Sequence, residues 1–179
     1  MTLESAVRGV VLISNVILTA TYAAAWVIFE RGITWGAASP VQVHLALAGI
    51  GVLFSLFSNL CVIFYFVGTG VWMKDQAKEI LAQDRAKALR VWNFYERGNK
   101  LKGKAFPFPT MGLVFGLFTF ILGGATQVGA IPSWLHPLLA TIFLLLAWGG
   151  LPLIFGALKT NVELLDGVSD EIDASTPIS

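Results

Sequence analysis

Residues 105–158 contain no aspartate, glutamate, lysine or arginine, and that gap constrains the fold more than any other feature. Soluble domains draw about 25% of their residues from those four types; this 179-residue chain draws 13%, while 56% of it is hydrophobic. Such a run has no solvated face. It excludes an ordinary water-soluble domain and a disordered chain. The net charge of +1 also gives no field for a nucleic-acid partner. The expected class is an all-α integral membrane protein.

A bilayer-crossing helix needs about 20 predominantly apolar residues. Four segments qualify, at about 7–29, 41–72, 109–128 and 133–158. None alternates as a membrane β-strand does, so four transmembrane helices in one bundle are expected. Ala23-Ala24-Ala25 resembles a signal-peptide cleavage region, but the apolar stretch before it is longer than a signal core. Glu4 also offsets Arg8, and the segment is read as a true span.

Nine of the twelve basic residues lie between Lys74 and Lys104. By the positive-inside rule, the connection 73–108 is cytoplasmic and both termini are inside. Trp26 and Trp134 then mark the outer interface and Trp72 the inner one, with Glu30 and Arg31 anchoring the outer end of span one. A bacterial inner membrane suits this orientation. The connection reads as an amphipathic helix through about Arg97, with Gly98 as its stop signal. It either continues span two past Gly68-Thr69-Gly70 or turns there to lie on the membrane. Lys100, Lys102 and Lys104 are its lipid- or partner-contact residues, unless they serve only to fix topology. The acidic segment 159–179 is read as a short helical extension to about Leu165 and then a solvated tail; folding back onto the basic connection is the alternative.

Polar residues inside spans are functional candidates because lipid offers them no hydrogen bonds. His44, Ala48, Gly51, Ser55 and Ser58 follow a 4-3-4-3 spacing on span two, with Asn59 beside them. His136, Ala140, Phe143, Ala147 and Gly150 repeat that spacing on span four. Both seams suit helix packing. The two imidazoles fall at comparable depth near the outer face, which fits axial ligation of one b-type haem. The competing reading makes them interfacial residues bonded to water, backbone or each other. A metal held by these two alone is not expected, since stable sites want three or four ligands. Asn15 and Asn59 lie at similar depth on antiparallel spans, where a direct side-chain bond would contribute about 1 kcal/mol. Gly112 and Gly116 form a GxxxG pair for close helix approach.

The single cysteine, Cys61, excludes a disulfide within the chain. No Ser-His-Asp set, HExxH pair, carboxylate pair or nucleotide loop is present, so no intrinsic catalytic activity is expected. The leading expectation is a small non-catalytic membrane subunit or assembly factor, in contact with lipid and with other membrane-protein subunits. The alternative is a b-type cytochrome subunit that holds one haem between His44 and His136 for electron transfer. A small transporter or channel is disfavoured, because the spans carry no carboxylate for proton coupling. Four spans with two outer-side histidines resemble, in design alone, the small membrane anchors of respiratory complexes.

Overall fold

Long apolar runs must close their backbone hydrogen bonds internally, and in this chain they do so as helices. The computed structural model describes residues 2–31 and 37–173, without the side chains of residues 29 and 30. All five elements are α-helices: α1 (Leu3–Arg31), α2 (Pro40–Leu81), α3 (Arg85–Ala105), α4 (Pro107–Gln127) and α5 (Leu135–Asp173). Four helical segments are long and apolar enough to cross a membrane, which marks an integral membrane protein. The side chain of Glu30, expected to anchor span one, lies outside the described residues.

In the apolar section the helices pack as a ring in the order α1, α2, α4, α5, with a lesser contact across the ring between α2 and α5. Small residues allow the close approaches. A Cβ on Gly51 would come within 2.6 Å of Thr21 on α1, and one on Gly112 within 2.6 Å of the Asn59 amide. Gly116 lies against Phe143 at 3.1 Å by the same measure, so both glycines of the GxxxG pair meet neighbours within this chain. The α1–α5 seam is laced by polar groups instead. The Arg8 guanidinium donates to the Phe155 carbonyl at 2.9 Å, Asn15 Nδ2 to the Ala147 carbonyl at 3.0 Å, and Trp148 Nε1 to Thr19 Oγ1 at 2.9 Å. Asn15 and Asn59 do not bond each other. The backbone carbonyl of Ala147, which sequence spacing does not reveal, takes the Asn15 amide.

A helix of 42 residues is about 60 Å long, twice the hydrocarbon thickness of a bilayer. Accordingly α2 runs past Gly70 without a turn and ends at Leu81. The expected helix through Arg97 is broken at residues 82–84, where the Asp84 carboxylate accepts from the Lys87 backbone N–H at 3.0 Å and starts α3. Gly98 does not stop α3. It is buried within the helix against Met73, where a Cβ would come within 2.9 Å of the Met73 methyl. Phe66 and Phe106 rings meet edge to face at 6.1 Å, so α3 descends antiparallel along α2 and delivers the chain into α4.

The acidic segment also differs from its expectation. It stays helical to Asp173 and lies on α3, and residues 174–179 fall outside the described residues. Met73, Ala77, Val91, Leu164 and Val168 form a core between α2, α3 and α5. Arg90 Nε meets Glu171 Oε1 at 2.9 Å, and the carboxylate holds that guanidinium above its ordinary value. The molecule thus has a four-helix apolar section and, at its basic end, a three-helix stalk.

Candidate functional site

The opposite end carries the histidines. Ser39 and Gln42 form a capping box at the start of α2: Ser39 N–H donates to Gln42 Oε1 at 2.8 Å, and Gln42 N–H donates to Ser39 Oγ at 3.3 Å. With Pro40 at the first helical position, this start fixes the azimuth of His44. The signal, Ser-x-x-Gln, was legible in the sequence.

His136 lies in the first turn of α5 and reaches across to α4. Its Nδ1 is 3.1 Å from the Thr119 carbonyl. A carbonyl only accepts, so Nδ1 carries the proton and Nε2 keeps its lone pair. Gly123, one turn beyond Thr119, provides the seat for the ring: a Cβ there would come within 2.9 Å of His136 Cε1.

The two imidazoles meet edge to face, their centres 6.1 Å apart and their planes at 75°. Two imidazoles that share one metal at bonds of about 2 Å place their ring centres about 6 Å apart. The same spacing is the ordinary one for an edge-to-face ring pair, whereas a direct N–H···N bond would draw the centres to about 5 Å. Around the pair lies a cavity of about 430 Å³, lined from α1 by Tyr22, Ala25 and Trp26, from α4 by Gly123, Thr126 and Gln127, and from α5 by Pro137 and Ala140. Pockets of roughly 300–1,000 Å³ hold small molecules and cofactors. The Tyr22 hydroxyl and Thr141 Oγ1 are hydrogen-bonded at 2.7 Å and hold α1 to α5 beside the cavity.

No group of three or more His, Cys, Asp or Glu side chains converges among the described residues. The donor set therefore suits a metal that brings its own equatorial ligands, as haem iron does, and does not suit a bare ion. The fixed tautomer, the ring spacing, the glycine seat and the apolar walls all fit such a group.

Lys100, Lys102 and Lys104 do not share a face. Lys100 and Lys104 are exposed, whereas Lys102 turns onto α2, where a Cβ on Gly70 would meet its side chain. Burial pushes the Lys102 ammonium down from its ordinary value. Asn15, Ser55 and Asn59 converge deeper in the apolar section, at a separate small cavity.

No family model, curated relative or solved structure matches the chain.

Proposed function

We propose that this chain is a small membrane subunit that holds one b-type haem between His44 and His136 and passes electrons within a larger membrane complex. The observation that supports this reading is the His44–His136 ring pair, 6.1 Å between centres, on the wall of a 430 Å³ cavity. A haem held by two imidazoles exchanges single electrons. The protein's own part is to hold and orient it. Thr119 keeps the His136 proton on Nδ1, which would leave the Nε2 lone pair free to hold the iron. Gly123 and Ala140 leave room, and most of the remaining wall is apolar.

The basic residues between Lys74 and Lys104 orient the chain with its stalk in the cytoplasm and the haem near the outer face of a bacterial inner membrane. Lys100 and Lys104 then stand at headgroup depth, available to anionic lipid. This reading assigns the chain electron transfer and leaves any further reaction to partner subunits.

The test is a reduced-minus-oxidised absorption spectrum of protein purified in mild detergent from haem-replete cells. Haem bands are expected, and His44→Ala and His136→Ala each abolish them. A colourless wild-type protein overturns the haem. The second reading, a haem-free packing subunit, is favoured by the exposure of Leu89 and Trp92 on the stalk, 57% and 36%. It expects partner chains to co-purify with a colourless protein.

A further inference from the structure

Deep in the apolar section, about 20 Å along α2 from His44, all four membrane helices contribute to a second cavity of about 10 Å³. We propose that this cavity binds one ordered water molecule, held by Asn15, Ser55 and Asn59.

Three polar side chains with unused hydrogen-bonding capacity line it. Asn15 Nδ2 donates to the Ala147 carbonyl at 3.0 Å, which leaves its Oδ1 without a donor among the described residues. Ser58 Oγ donates to the Ser55 carbonyl at 3.1 Å, so Ser58 is engaged, but Ser55 Oγ is not. The Asn59 amide makes no hydrogen bond with any described residue. It lies flat on Gly112, where a Cβ would come within 2.6 Å of its nitrogen. An amide inside an apolar section cannot turn to bulk water for a partner. One water needs about 10–15 Å³ and two to four polar partners; this cavity supplies the lower bound of the first and three of the second. In that position the water donates to Asn15 Oδ1 and Ser55 Oγ and accepts from Asn59 Nδ2, joining α1 to α2 where no direct bond does.

The chemistry favours water over a cation. All three groups are neutral, and no carboxylate lines the cavity, whereas hard cations take six or more oxygen ligands, usually with carboxylates among them. The site is independent of the haem reading: a buried cluster of Leu18, Val52 and Phe143 belongs to the section between it and the histidine cavity.

Magic-angle-spinning NMR of the full chain in lipid bilayers, with asparagine side chains labelled by nitrogen-15, tests the proposal. Magnetisation transfer is expected at both Asn15 and Asn59 from a water that exchanges more slowly than bulk. Asn59→Leu fills the cavity and abolishes the transfer at Asn15. Ser55→Ala, a smaller change that keeps the helix packing, weakens it. Absence of transfer at both amides in the wild-type protein overturns the site, as does transfer at Asn15 that is unchanged in both variants.

Discussion

The two ends of the molecule handle apolar surface in opposite ways. At the basic end three helices close on Met73, Val91, Leu164 and Val168, none more than 2% exposed. At the histidine end four helices stand around about 430 Å³ of open volume. Protein interiors are normally packed to crystal density, so a fold that fills one end and spares the other separates two tasks. The stalk core supplies cohesion between α2, α3 and α5. The histidine end keeps two imidazoles edge to face beside that cavity, held by specific polar contacts such as His136–Thr119 and Tyr22–Thr141.

Truncation of the stalk core therefore costs stability and leaves the site alone. Leu164→Ala removes a side chain at 2% exposure and is expected to destabilise by about 2–5 kcal/mol, the range for leucine deletions in well-packed cores. Thermal melting checks the loss. At low temperature the haem spectrum that the proposed function expects should be the same in the variant and the wild type. A lost or altered spectrum in a variant that is still folded would mean that the ends are coupled, and the division of tasks fails.

The converse substitution acts on the site and spares the core. Gly123→Ala drives a methyl into the His136 ring, whereas a Cβ on the adjacent Gly124 meets nothing within 4 Å. Displacing a ligand's support costs metal affinity about 10–100-fold. On the proposed function, haem titration of the two variants should show that loss for Gly123→Ala and none for Gly124→Ala. Equal effects would trace the loss to helix α4 as a whole and not to the seat of His136.

How much of this was legible in the sequence differs between the same two regions. The four spans follow from length and apolarity, and the depth match of His44 and His136 from counting residues from the span ends. The partners of the polar groups do not follow. Asn15 donates to a backbone carbonyl, and every residue has one, so spacing cannot single out Ala147. The stalk was legible but masked by charge. Leu164, Val168 and Ile172 recur every four residues and mark a buried stripe through the acidic segment, but acidic composition alone suggests a solvated tail. The break before α3 carried its signal too, an aspartate ahead of a run of good helix formers. That signal sits inside one long stretch of helix-forming residues, where nothing apolar changes period.

The smallest effect concerns that break and asks whether the stalk stays cohesive as pH falls. Asp84 caps α3 through the Lys87 N–H, and this backbone bond holds its carboxyl below the ordinary aspartate value. A depressed folded-state pKa contributes stability that is fully present above the unfolded value and is lost as pH falls through the folded one. Protection of the first α3 amides from hydrogen exchange should therefore decline on acidification below the ordinary aspartate range. Asp84→Asn keeps an acceptor at the cap and removes that dependence, while Asp84→Ala lowers protection at every pH. Because Val91, which packs on Met73, Leu164 and Val168, lies beyond the first turn of α3, fraying is expected to stop before it. Loss of protection along all of α3 would show instead that the core depends on its cap, and the cohesion assigned to burial would belong in part to one exposed carboxylate.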